Sequence, residues 1–158
     1  MNAIDSEALA SLTAAVESFL PDVADPSVQL VLLVTPVHIT PTGLGGFIGV
    51  NENPQGEILG RRLEAMAVVT VRANSVGPLN DAAAAVVRAF VGADRTALLE
   101  QGILRVALDG AGSQAAGGSE SDGVVERGLT LKILYEFLKR PEEPEDVILE
   151  IPKNLDTA

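Results

Sequence analysis

The chain has no cysteine, no tryptophan and a single histidine, and it carries half as many basic residues as acidic ones, 11 Lys and Arg against 22 Asp and Glu. Each shortage removes a class of function. Without cysteine there is no disulfide framework and no thiolate zinc site. One histidine, His38, cannot build a multi-histidine metal centre, and its strand-like segment suits a surface or hydrogen-bonded structural role better than catalysis. A formal charge of −11 opposes nucleic-acid binding, which needs a basic face to displace counterions, and opposes anionic membrane surfaces equally. No apolar run approaches the roughly 20 residues that cross a bilayer as a helix. No basic-then-apolar leader precedes the first helix pattern, so the expectation is a soluble protein made in the cytoplasm. Aromatic side chains make up only 3 % of the chain, so its core must be built from Val, Leu, Ile and Ala.

What is present suffices for such a core. Over 158 residues, 47 % are hydrophobic, which suits one domain. Residues 5–20 have helical spacing, with Leu9, Leu12, Val16, Phe19 and Leu20 on one face and Asp5 or Ser6 as the cap. Residues 28–40 are rich in apolar and β-branched types and predict a buried strand, with Pro36 at a bend, an edge or its end. Residues 46–50 suit a short strand, and the "NENPQG" that follows is a turn signal. Residues 61–73 alternate: Leu63, Ala65, Ala67, Val69 and Val71 point one way, and Arg62, Glu64, Met66, Thr70 and Arg72 the other. Helical spacing returns over 78–91 through Leu79, Ala83, Val86, Val87 and Phe90. A short helix over 94–101 is capped by Asp94 and closed by Gly102. Strands are predicted at 103–109 and 124–138, the last with Val125, Leu129, Leu131, Ile133, Tyr135 and Phe137 on one face. This order predicts an α+β fold: a single, mostly antiparallel sheet with helices packed on one face. The domain spans 1–139 and includes a flexible loop at 110–123. An acidic, proline-containing tail, extended rather than helical, occupies 140–158.

The stretch "TGLGGFIGVNENPQG", 42–56, is the first candidate site. A dinucleotide fingerprint would place glycine where Ile48 stands, and a phosphate loop would need Gly-Lys-Ser/Thr. Both need a helix opening at the glycines, and a turn and strand are predicted instead. The glycines then serve positive φ angles in a loop. The apolar Leu44, Phe47 and Ile48, flanking Gly45 and Gly46, suit ordering against another subunit. Elsewhere, Glu142, Glu143, Glu145 and Asp146 cluster without the glycine-bearing loop of an EF-hand, and read as a solvated acidic segment. Glu64, Glu126 and Glu136 lie near Arg62, Arg72, Arg127 and Lys132 in strand patterns and suit cross-strand pairs. No serine has a partner base or a G-x-S-x-G elbow. The expectation is no enzyme, no cofactor and no metal.

Three stretches taken together, "GEILGRRLEAMAVVTVRA" (56–73), "LNDAAAAVVRAF" (79–90) and "RGLTLKILYEF" (127–137), resemble the tail terminators among the small tail-completion proteins of phages, with related caps on phage-derived contractile injection particles. The element order is similar over 5–138. The 110–123 loop and the tail after 140 have no counterpart in it. The resemblance implies a structural protein forming a homo-oligomeric ring of about six copies. Such a ring sits on the tail tube, within reach of sheath protein, stops tube growth and offers a surface to a neck or connector protein. It assembles into the virion tail or injection particle, and DNA at most passes through its lumen. On this reading Leu44, Gly45, Gly46, Phe47 and Ile48 contact a neighbouring subunit or the tube. Two alternatives stay open: a neck or baseplate adaptor of the same kind of particle, and a small regulatory, ligand-binding α+β dimer.

Overall fold

A computed structural model describes residues 2–52, 55–111, 115–116 and 123–141. Their element order is α1 (Ala3–Phe19), β1 (Gln29–Pro41), β2 (Phe47–Glu52), β3 (Gln55–Ala73), α2 (Val76–Val91), α3 (Arg95–Glu100), β4 (Ile103–Ala111), β5 (Ala115–Ala116) and β6 (Val125–Lys139). The strands form one sheet in the order β1-β3-β6-β4, with β2 also paired to β3 and β5 to β6. Pairs β2–β3, β4–β6 and β5–β6 are antiparallel. The β3–β6 pair is antiparallel too: ion pairs join Arg62 to Glu136 and Arg72 to Glu126, so ten steps forward on one strand match ten steps back on the other. The α+β expectation holds; the 140–158 tail lies outside the described residues beyond Pro141.

Contacts divide the chain into two compact units. One comprises residues 1–40 and 61–137, the other 41–60 and 138–158. The first holds the hydrophobic core. Leu63, Ala65, Ala67, Val69, Val71 and Ala73 of β3 are all buried, as are Leu129, Leu131, Ile133 and Tyr135 of β6. The alternation read from the sequence is therefore real, and it exists because a strand sends successive side chains to opposite faces. Onto this face α1 lays Ala8, Leu12, Ala15 and Val16, and α2 lays Leu79, Ala82, Ala83, Val86 and Phe90. The two helices meet through Phe19 and Phe90, whose ring centroids are 6.2 Å apart. A hydrogen bond of 2.6 Å ties Ser11 Oγ of α1 to Tyr135 Oη of β6, which satisfies the one polar group of an otherwise apolar core residue.

Helix α1 starts earlier than the sequence suggests. Its cap is Asn2, whose side-chain oxygen accepts from the Asp5 N–H at 2.9 Å, not Asp5 or Ser6. Asp5 instead accepts from Arg61 Nε at 3.0 Å, with both side chains mostly buried, and its charge in the first turn suits the helix dipole. Helix α2 begins at Val76 rather than 78, because Pro78 falls in the first turn, where its missing N–H has no intrahelical partner to lose. Strand β1 runs through Pro36 without a break. It is the outermost strand of the order, where an absent ladder donor is tolerated. His38 is exposed on it. Between α1 and β1, the Ser27 N–H and hydroxyl both donate to Asp25 Oδ1, at 2.9 and 2.7 Å.

The opposite face of the sheet in this unit carries the polar set Arg62, Glu64, Thr70 and Arg72, with Met66 and Val68 half-buried among them. Of the cross-strand pairs anticipated there, Arg62–Glu136 and Arg72–Glu126 form. Lys132 approaches Asp109 at 4.0 Å instead of a glutamate. Neither Glu64 nor Arg127 has an ion-pair partner among the described residues.

Candidate contact surface

In the second unit, the glycine stretch is a tight hairpin. Leu44 and Phe47 bond each other reciprocally, N–H to carbonyl, at 2.9 and 3.1 Å. Between them Gly45 and Gly46 both have positive φ, 64° and 96°. Two central residues with positive φ are the requirement of the type I′ turn, which matches the twist of the strands it joins. Gly43 is also in the left-handed region, at φ 68°, and a Cβ there would run into the Phe47 carbonyl. The turn is pinned to β3 by Thr42 N–H to the Gly60 carbonyl, 3.2 Å, and by Gly60 N–H to the Gly46 carbonyl, 2.8 Å. No helix begins between Thr42 and Glu52; β2 follows, so the glycines lack the convergent helix N–H groups that a phosphate site of either motif uses.

Strand β2 pairs with β3 from Phe47↔Leu59 to Glu52↔Gln55, with a register shift between Phe47 and Gly49. The extra residue is Ile48. A bulge breaks the alternation locally and re-aims side chains, so Phe47 and Ile48 are both exposed, although adjacent strand residues ordinarily divide between two faces. Leu44 is 86 % exposed and Val50 59 %. Five of the seven residues 44–50 are thus three glycines and two neighbouring apolar side chains, flanked by two more apolar side chains. The anticipated contact residues Leu44, Gly45, Gly46, Phe47 and Ile48 are brought together at one turn; Gly46 alone of the five is buried.

Sequence reasoning missed Gly60. It is buried, and a Cβ there would collide with the Thr42 hydroxyl and the Ile48 side chain. Its place inside the charged opening of a strand gives no local sign of this. Gly56 has a similar function, with Pro141 packed against the site of its absent side chain.

Among the described residues, no group of three or more His, Asp or Glu side chains is placed to hold a metal ion, and no helix is long and apolar enough to cross a membrane. The 110–123 loop lies outside the described residues apart from Gly110, Ala111, the β5 pair and Gly123. No protein-family model matches the chain, and no curated protein is significantly similar to it.

Proposed function

We propose that this protein is a structural ring subunit that caps the tail tube of a phage or phage-like injection particle. The observation that carries the reading is the hairpin at 44–50. It presents Leu44, Phe47, Ile48 and Val50 to solvent on a backbone held by hydrogen bonds on both sides. Four exposed apolar side chains within seven residues disfavour an isolated monomer and favour burial against another protein. A turn fixed before contact loses little conformational entropy on docking. The family resemblance supplies the partner: the tube end on one side and a neighbouring copy in a closed ring, where closure ends growth.

The test is the mass of the purified chain by light scattering, with negative-stain imaging, alone and after addition of the tube protein of the same particle. Rings of about six copies, or rings seated on tube ends, are expected. The Leu44→Asp/Val50→Asp variant, at the two most exposed of the four side chains, is expected to keep its thermal midpoint and lose the rings. A wild-type chain that stays monomeric in both conditions overturns the reading.

A further inference from the structure

A second surface, in the core-bearing unit, has the chemistry of a docking groove. Strand β4 is the last in the sheet order, and no strand among the described residues pairs with its outer side. Beside it lies a hollow of about 410 Å³, lined by Phe90, Val91, Leu98 and Val106 together with Arg95 and Arg105. Val91 is 56 % exposed, so the apolar lining opens to solvent. The register of β4 shifts between Ile103 and Arg105, which makes Leu104 a bulged residue in the same wall. Both arginines are exposed, and neither has an ion-pair partner among the described residues. In a chain with twice as many acids as bases, a hollow whose wall sets Phe90, Val91, Leu98 and Val106 beside two exposed cations selects an occupant that is both acidic and apolar.

The chain itself carries such a segment. Residues 142–158 follow Pro141 and include "EDVILEI", 145–151. Val147, Leu149 and Ile151 recur at the two-residue period of a strand, with Glu145 and Asp146 before them and Glu150 among them. No other stretch of the sequence combines three carboxylates with an alternating apolar series in seven residues. The six steps from Pro141 to Val147 reach about 20 Å when extended, enough to cross a subunit boundary.

We infer that residues 145–151 of a second copy of this chain dock along the outer side of β4. Val147, Leu149 and Ile151 fill the hollow, and the carboxylates of Glu145 and Glu150 meet Arg95 and Arg105. Strand addition at a sheet edge supplies main-chain hydrogen bonds, and the alternate side chains supply the selection. The charge pairs set direction and partner choice more than affinity. The inference rests on the ring reading only in requiring a second copy.

The absence of native cysteine makes disulfide trapping clean. Full-length Val91→Cys and full-length Leu149→Cys are mixed under mild oxidation and the mixed dimer is quantified against the control pair Val91→Cys with Ala10→Cys. A mixed dimer well above the control is expected. Reversing both cations, Arg95→Glu/Arg105→Glu, is expected to reduce it about tenfold, and adding Glu145→Lys/Glu150→Lys to the tail partner to restore it. Because Val91 and both arginines are exposed, circular dichroism of these variants should match wild type. Cross-linking no better than the control overturns the inference. So does a chain bearing both cysteines that closes only an internal disulfide, since that places the tail on its own subunit. Imaging separates the two readings: rings without the cross-link refute tail docking and leave the cap standing, whereas the cross-link in assemblies that are not rings refutes the cap and leaves tail docking standing.

Discussion

The positions of Gly45 and Gly60 both favour glycine, on different physical grounds, and their substitutions separate those grounds. A side chain at Gly45 meets no atom within 4 Å, but its φ is 64°. Gly45→Ala therefore costs only the left-handed backbone, about 1 kcal/mol. At Gly60 the backbone is ordinary and the space is absent, so Gly60→Ala must displace Thr42 and Ile48, at about 1–3 kcal/mol. Urea unfolding midpoints measure both; a larger loss at Gly45 than at Gly60 would contradict this assignment. Asp25 gives a residue-level test in pH. Ser27 holds its carboxyl below the ordinary 3.8, first through the hydroxyl and then through the backbone N–H, with slight burial opposing them. A depressed folded value means that the ionised form is favoured by folding. That contribution is complete above about pH 3.8 and fades as the pH falls through the lower folded value. Carboxyl NMR should find the Asp25 midpoint below 3.8 and its return toward 3.8 in Ser27→Ala.

Among the elements, β1 tests how far strand alternation governs tolerance. Leu33 is 63 % exposed, whereas its neighbour Leu32 packs against the core. Leu33→Asp should change stability by less than about 0.5 kcal/mol, while Leu32→Asp should remove about 3 kcal/mol or more by burying a charge. Equal effects on the thermal midpoint would mean that the two faces of β1 are not distinct. The same alternation explains what was legible in advance. On β3 and β6 burial is one-sided, so the period of two appears directly in Leu63 to Val71 and in Leu129 to Tyr135. Helix faces were legible for the same reason. Caps and ends were less so: Asn2 caps through a hydrogen bond to Asp5 N–H, while Asp5, the more obvious cap, is drawn away by Arg61, which is 56 positions distant. A long-range partner of this kind leaves no local trace. Neither does the space requirement at Gly60, nor the bulge at Ile48, which depends on the register of two strands rather than on either sequence. The type I′ turn was half legible: Gly45-Gly46 is its signature, but the run of four glycines from 43 to 49 obscured which pair formed it. The division into two units had no compositional mark, because residues 41, 61 and 138 all fall within or at the ends of continuous strand patterns.

For the whole molecule, charge sets what the assembled protein must not do. The proposed ring would enclose a lumen through which DNA at most passes, and a lumen that bound DNA would obstruct that passage. With 22 acidic and 11 basic residues, the chain repels a phosphate backbone at long range. Local pairing adds to this: Arg61, Arg62, Arg72 and Lys132, four of the eleven basic residues, are each engaged with a carboxylate of the same chain. The docking inferred at β4 would occupy two more, Arg95 and Arg105, with carboxylates of a neighbour, leaving the assembly less able than the free chain to hold a phosphate. The expected outcome is that a fluorescent duplex shows no anisotropy change with the assembled protein up to tens of micromolar at about 0.15 M salt, against the 10⁻⁴–10⁻⁶ M typical of non-specific DNA binders. Lowering the salt to about 0.02 M, where screening is weak, should not produce binding either, because the net interaction is repulsive. Micromolar binding that weakened steeply with salt would show that unpaired cations converge on one surface despite the net charge. The Arg95→Glu/Arg105→Glu variant would then distinguish a β4 origin, which abolishes the signal, from an origin elsewhere, which preserves it.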